Sequence, residues 1–508
     1  MTTPSSAHSI SRPSIGVGAV AAGGVFVLAL VVYVRTLLPG SSFGDWGEMQ
    51  LIQHDLGVPH PTGYPLYMLL GYVFSLIPIG SYAWRADLLS AVAAAAASAM
   101  AVLIAMRLGV RPFIAAMAGL SLAVTGTLWL EATFSEMNSL HLFLVGLVIH
   151  RALVWRDERR DRDLQLGGLF AGLALADHLL AVTVVPIVIV FVLFDARRRL
   201  RERPVVVLQA AALLLAGIAL YVVIPLRALA GPPSVYGSLL TWDGFSGLVS
   251  GAMFRSDMHF GSPASFAAAW SSIPGVVDQL VSRSNLVFLG AGLAGGLILL
   301  WRDRWAGLML AVVLAVNVYV FANYLGDLDH YLLVTWLVLA VWLAVAAEWL
   351  VAAIQRRLGD RSAGLELLVV VLPVILLAAN WTDHDQSSNT LGEQFSATVF
   401  AQLPPNAVLL TYWDALTNLS YEHCIDGERP DVSLRAYDTA ARVTCDPVDG
   451  DLTDVARTRP VFALFPFPDD LAGVVDDFDL VPGPTLAIPY GNRVLDFQGT
   501  LYRLVPRQ

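Results

Sequence analysis

Five titratable side chains fall within sixteen positions of the chain: Asp45, Glu48, His54, Asp55 and His60. Asp45 and Glu48 stand three residues apart, so a helix through them places both on one face. A carboxylate at a membrane surface, beside an apolar wall, can act as a general base. The competing reading is a helix N-terminus whose acids complement its dipole. The next stretch, HPTGYPLY, reads as a stiff turn carrying His60 and Tyr64. It leads into an amphipathic surface helix over 66–78. Further charged groups flank apolar runs: Glu131 and Glu136, the pair Asp177/His178, Arg227, and Asp327 with Asp329 and His330. Burying a charge at membrane depth costs roughly 2.5–3.5 kcal/mol on insertion scales. Such groups therefore face a cavity or lie at the aqueous interface. Arg227, on the outer side, needs an anion, and lipid phosphate is the obvious one. No H-E-x-x-H or C-x-x-C spacing supports a metal site.

The elements that position these residues are membrane helices. The chain has 508 residues, 56% hydrophobic and 14% charged, with a mean hydropathy of +0.65. Soluble domains carry roughly 25% charged residues, so a soluble enzyme, a disordered chain and a fibrous protein are excluded. Eleven apolar runs have bilayer-like lengths. They cover about 17–38, 86–106, 112–130, 137–154, 164–177, 179–194, 205–225, 285–301, 306–322, 331–353 and 364–380. Every second connection is rich in Arg: 107/111, 156–162, 197–203, 302/304 and 356–361. Short cytoplasmic loops are enriched in basic residues. The N-terminus is then cytoplasmic, and the segments 39–85, 226–284 and 381–508 lie outside. Asp177 and His178 sit at the outer turn of a short helical pair.

Charge is uneven. From Trp381 onward there are 19 acids and 8 Arg, a balance of −11, against +1 for the rest. Nucleic acid is therefore not an expected partner. The tail alternates a helical stretch around 391–403 with strand-like runs at 406–414, 429–437 and 459–465. This pattern suggests a small α/β domain with a parallel sheet. Its Cys424 and Cys445 pair if the tail lies in an oxidising compartment; otherwise they are two unrelated thiols.

Several blocks, in order, resemble one family. They are GDWGEMQLIQHDLGVPHPTGYPLYMLLGYVFSLIP (44–78), WLEATFSEMNSLHLFLV (129–145) and LFAGLALADHLLAV (169–182). IPLRALAGPPSVYGSLLTWDGFSGLVSGAMFR (224–255) and NYLGDLDHYLLVTWLVLAVW (323–342) follow. The chain resembles a bacterial membrane family catalogued as a domain of unknown function. Its eukaryotic relatives are endoplasmic-reticulum protein O-mannosyltransferases acting on plexin-type receptor domains, within the GT-C glycosyltransferase superfamily. The tail block 403–432 resembles the soluble domain of bacterial members.

The resemblance implies a GT-C-like polytopic all-α membrane protein, with residues 1–380 catalytic and 381–508 a small extracytoplasmic α/β domain. It implies transfer of a hexose, with mannose expected, from a polyprenyl-phosphate carrier to an extracytoplasmic protein Ser/Thr or glycan acceptor. The anomeric centre inverts, and the setting is the bacterial cytoplasmic membrane. Asp45 matches the base, and Glu48 assists it or binds the donor sugar. His60, Tyr64, Glu136, His178, Arg227, Arg255 and Asp327 are the expected donor- or acceptor-binding residues. D-x-G-E departs from D-x-D, so no divalent metal and no cofactor are expected. Two other readings compete: a polyprenyl-lipid flippase using its acids as a proton relay, and a non-enzymatic scaffold presenting its tail.

Overall fold

In the computed structural model the described residues are 15–257, 271, 286–323, 330–359, 364–437, 441–448, 450–465, 474, 476–488 and 497–507. Asp327 and much of the segment 226–284 lie outside them.

All eleven apolar runs are helical, but not all are long enough to cross a bilayer alone. Among the described residues seven helical segments are: Gly16–Thr36, Tyr82–Arg107, Asn138–Glu158, Pro204–Ala230, Arg304–Ala322, His330–Leu358 and Leu365–His384. An eighth is counted if Pro112–Ala123 and Gly126–Thr133 form one span, and these meet at a bend of 65°. The expected count of eleven is thus seven or eight by length and composition. The remainder are Asp161–Asp177, Leu179–Asp195 and Leu286–Arg302, which are short or carry charges. Long apolar side chains face outward from these helices, as at Val20, Leu208 and Leu297. In water such faces would be an aggregation liability; in a bilayer they meet lipid. The chain is a multi-pass membrane protein.

The helices that carry the site have local reasons to begin and end where they do. Helix α1 (Ile15–Thr36) leads into α2 (Gly44–Asp55), which lies in the segment 39–85. Gly44 has φ +57°, and a Cβ there would stand 2.5 Å from Asp414 Oδ1. Only glycine satisfies both the left-handed backbone and the close approach. At the far end Leu56 takes an αL conformation and closes the helix. Helix α3 (Pro65–Ser75) follows, with proline at its first position, where no backbone donor is lost. A helix was expected over 66–78, and it ends three residues earlier. Helix α4 (Tyr82–Arg107) starts at Ser81, whose hydroxyl accepts the Trp84 N–H at 3.0 Å.

Helices α5 (Pro112–Ala123), α6 (Gly126–Thr133), α7 (Asn138–Glu158) and α8 (Asp161–Asp177) continue the bundle. Asp161 and Asp163 occupy the first turn of α8, where acids complement the dipole. Glycines let α8 pack against the helix Pro204–Ile218 at close range. A Cβ on Gly168 would fall 2.2 Å from Ala210 O, and one on Gly172 would fall 2.1 Å from Leu214 O. Small-residue contact of this kind is the usual glue between helices in lipid.

The tail forms a five-stranded mixed sheet of β2 (Val408–Thr411), β3 (Ser433–Ala436), β5 (Val461–Phe465), β6 (Phe478–Ile488) and β7 (Phe497–Pro506). The order is β3-β2-β5-β7-β6. β2 runs parallel to β3 and β5, with Val408 opposite Ser433 and Val461. These are the three expected strands. The antiparallel hairpin β6–β7 was not expected. A second small sheet joins the segments 39–85, 226–284 and 381–508. β1 (Ser234–Tyr236) pairs antiparallel with β4 (Ala441–Val443), and Val235 also bridges to Val58.

The hydrophobic core divides accordingly. One cluster fills the helix bundle. Another is built jointly by Phe43 and Leu51 of the first outer segment, Tyr236 of the second, and Phe395, Leu409 and Leu419 of the tail. The tail therefore shares a core with the loops it covers.

Candidate active site

Helix α2 puts Asp45 and Glu48 on one face, and the turn after it brings His60 back against them. Glu48 is fully buried, whereas the Asp45 side chain is 52% exposed. The Glu48 carboxylate accepts the His60 backbone N–H at 2.9 Å and makes a short contact with His60 Nδ1. His60 Nε2 lies 3.7 Å from Asp45 Oδ2 and 3.1 Å from the Tyr64 hydroxyl. Tyr64 in turn donates to Pro61 O at 2.8 Å. Burial opposes charging the imidazole, but Asp45 and Glu48 together outweigh it and raise the His60 pKa to about 9. Burial pushes the Glu48 carboxyl up, against the pull of His60. The result is a row in which the His60 ring stands between two carboxyl groups; its inner pair is buried and its outer member, Asp45, reaches solvent.

Asp45, Glu48 and His60 each offer one ligand atom, and these atoms lie within 4.8 Å of one another. Two carboxylates and a neutral imidazole are a donor set that suits a divalent cation.

Beyond Tyr64 lies a second group of polar side chains, at the C-terminal ends of α6 and α8 and the N-terminal end of α7. Tyr64 itself, a bulky residue at φ +37°, occupies a region sparsely populated except by glycine. Its ring is 5.4 Å from that of His178, which is 5.4 Å from His141. His178 Nδ1 accepts the Leu180 N–H at 3.0 Å, which leaves a neutral ring's proton on Nε2. Glu131 and Glu136 are joined by the Asn138 amide, at 3.2 and 3.0 Å. Burial is the main cause that pushes the Tyr64 phenol up, and Tyr331, Asp45, Glu136 and Glu48 add to it. Asp177 is fully buried, and its carboxylate has no hydrogen-bond partner among the described residues.

Six expected site residues therefore converge: Asp45, Glu48, His60, Tyr64, Glu136 and His178. Arg227 is close by but engaged differently. Its guanidinium donates to Asp55 O and Leu56 O, both at 2.9 Å, and so holds the C-terminal end of α2. Arg255 is exposed and contacts Ser250 Oγ at 3.4 Å. His54 pairs with Asp55 at 2.5 Å and packs on Tyr82, at the opposite end of α2 from Asp45. Sequence reasoning missed Trp413, whose indole N–H donates to Asp45 Oδ1 at 2.7 Å. It also missed Asn138 and His141, whose polar atoms give no signal apart from the fold.

Residues 45–201 match the N-terminal domain of the protein O-mannosyl-transferase TMEM260 family. The chain carries a TMEM260-type domain. That domain begins at Asp45 and holds all six converging residues. Protein O-mannosyl-transferase TMEM260 of Mus musculus is 27% identical over 456 residues, 81% of this chain and 62% of that protein. The namesake from Dictyostelium discoideum is 21% identical over 468 residues, 81% of this chain and 56% of that protein. The chain thus spans little more than half the length of these relatives. The crystal structure of ArnT from Cupriavidus metallidurans bound to undecaprenyl phosphate superposes with a TM-score of 0.62. It covers 97% of this chain and 98% of its own, at 13% identity. The shared architecture is the GT-C fold expected beside the TMEM260-type domain.

Proposed function

We propose that this protein is an integral membrane glycosyltransferase that moves a hexose, mannose in this reading, from a polyprenyl-phosphate carrier to an extracytoplasmic hydroxyl. The observation that carries the reading is the asymmetry of the row. Glu48 is closed by His60, while the Asp45 side chain is half exposed. Asp45 takes the proton of the acceptor hydroxyl as its oxygen attacks the anomeric carbon. The bond from that carbon to the carrier phosphate breaks, and the polyprenyl phosphate leaves with the electron pair. Attack opposite the leaving group inverts the centre. Glu48 and His60 fix the charge beside the base, and Tyr64, Glu136 and His178 line the space for the sugar.

Several findings support the parts of this reading. Mannose and a protein acceptor rest on the names of the relatives. A polyprenyl carrier rests on the fold shared with an ArnT structure whose ligand is undecaprenyl phosphate. An outward-facing tail rests on the Arg-rich alternate connections and on the Cys424–Cys445 disulfide, which suits an oxidising compartment. The relatives' names lend no support to the flippase reading.

In reconstituted vesicles supplied with mannosyl undecaprenyl phosphate, Asp45→Asn is expected to lower turnover by about 10²–10⁴-fold, the usual range for a general base. Its melting temperature should not change. Turnover within twofold of the parent would remove Asp45 as the base. The His60 imidazolium supplies the cation between the carboxylates, so EDTA leaves transfer unchanged. Restoration of an EDTA-inactivated sample by one divalent ion would replace the imidazolium with a metal in this account.

A further inference from the structure

The two oxygens of Asp45 have different neighbours. Oδ2 faces His60, and Oδ1 accepts the Trp413 indole N–H at 2.7 Å. Trp413 opens the helix Trp413–Cys424 of the C-terminal segment. Its ring stands edge-on to His60 at 6.4 Å and to Tyr236 at 5.9 Å. One indole therefore meets all three outer segments of the chain.

That helix is fixed against α2 and its approach. A Cβ on Gly47 would stand 2.9 Å from Thr417 Oγ1. Asn418 Nδ2 donates to Ser41 Oγ at 3.0 Å, and Ser41 Oγ donates to Glu422 Oε1 at 2.5 Å. The Tyr421 hydroxyl accepts the Ala83 N–H, the second residue of α4, at 2.9 Å. Trp413 is therefore held from behind, and its N–H is aimed at one carboxylate oxygen.

We infer that Trp413 is a positioning residue of the transfer site. Its N–H holds the Asp45 carboxylate so that Oδ2 is left for the acceptor proton. The inference rests on Asp45 being the base and extends that reading: the C-terminal domain is a working part of the active site. An indole N–H donates and cannot accept, so it orients the base without competing for the proton. A half-exposed aspartate without this anchor rotates among staggered side-chain conformers. Misplacing a reacting group by about 1 Å can cost on the order of 10²-fold in rate.

The test uses the full chain in vesicles with mannosyl undecaprenyl phosphate, reading release of undecaprenyl phosphate as water attacks the anomeric carbon in the acceptor's place, loses its proton to Asp45 and carries off the mannosyl group as mannose. Trp413→Phe keeps an aromatic ring against His60 and Tyr236 but loses the donor. It should lower kcat by about tenfold or more, with KM within about twofold and an unchanged melting temperature. Trp413→His, which retains a ring N–H, should recover part of kcat. In the Asp45→Asn background, Trp413→Phe should add nothing, because residues acting through one another are not additive. A wild-type kcat in Trp413→Phe, a loss confined to KM, or losses that multiply with Asp45→Asn would each overturn the inference. An inactive Asp45→Asn beside an unaffected Trp413→Phe removes only the positioning role. An active Asp45→Asn removes the base and the inference together.

Discussion

Glu48 and His60 form a buried pair at the site, and its stability follows from that burial. A buried ion pair is roughly break-even when intact but strongly destabilising when one partner is removed. His60→Ala leaves Glu48 and Asp45 without their shared cation, one of them fully buried. The variant should lose about 3–5 kcal/mol of stability, seen as an earlier transition in detergent unfolding. An unchanged transition would mean that water or another cation reaches Glu48. This juxtaposition was only half legible beforehand. The three-residue spacing places Asp45 and Glu48 together on any helix. The return of His60 depends on a turn whose geometry no spacing rule supplies, and Trp413, 368 residues further on, gives no local signal at all.

At the scale of elements, α2 is a short helix clamped at both ends. The Trp413–Cys424 helix covers its start, and Arg227 binds the carbonyls at its finish. An anion-binding arginine was the sequence expectation, and the helix-end role is what the contacts describe. Arg227→Met should therefore lower thermal stability and reduce kcat by several-fold, while affinity for undecaprenyl phosphate changes little. A selective loss of that affinity, measured on the purified protein, would restore the phosphate role. The helices themselves were legible because each apolar run is long. The crossing count was not, because composition cannot separate a span from the bent pair α5–α6 or from the charged α8. The strands β2, β3 and β5 were legible as short runs that each follow a proline. The hairpin β6–β7 was not, since proline and glycine interrupt β6 at Pro482–Pro484.

At the scale of the molecule, the tail and the loops meet through an acidic contact. Burial is the main cause that raises the Glu422 pKa to about 7, and neighbouring Asp426, Glu393 and Glu428 push the same way against the Ser41 hydrogen bond. The folded pKa exceeds the ordinary carboxylate value, so the folded state binds a proton that the unfolded state gives up. Stability from this group is full below about pH 4.5 and is lost as pH rises through about 7. Glu422→Gln, which stays neutral, should flatten that decline and raise the melting temperature at pH 8 relative to the parent. Melting scans between pH 5 and 8 measure it, and parallel curves for the two proteins would exclude Glu422 as the group responsible. The sequence showed the tail to be acidic. It did not show that part of that acidity is enclosed against Ser41 and Gly40.

The contact between Trp413 and Asp45 also has a meaning in time. Ribosomes add about 5–20 residues per second, and these two side chains are 368 positions apart. The aspartate therefore exists for roughly 20–70 s before its indole partner is synthesised. Throughout that interval Asp45 has no indole anchor, and β1 has no β4 to pair with. On the proposed reading, a polypeptide released early would lack a finished centre, and transfer would begin only with the last quarter of synthesis.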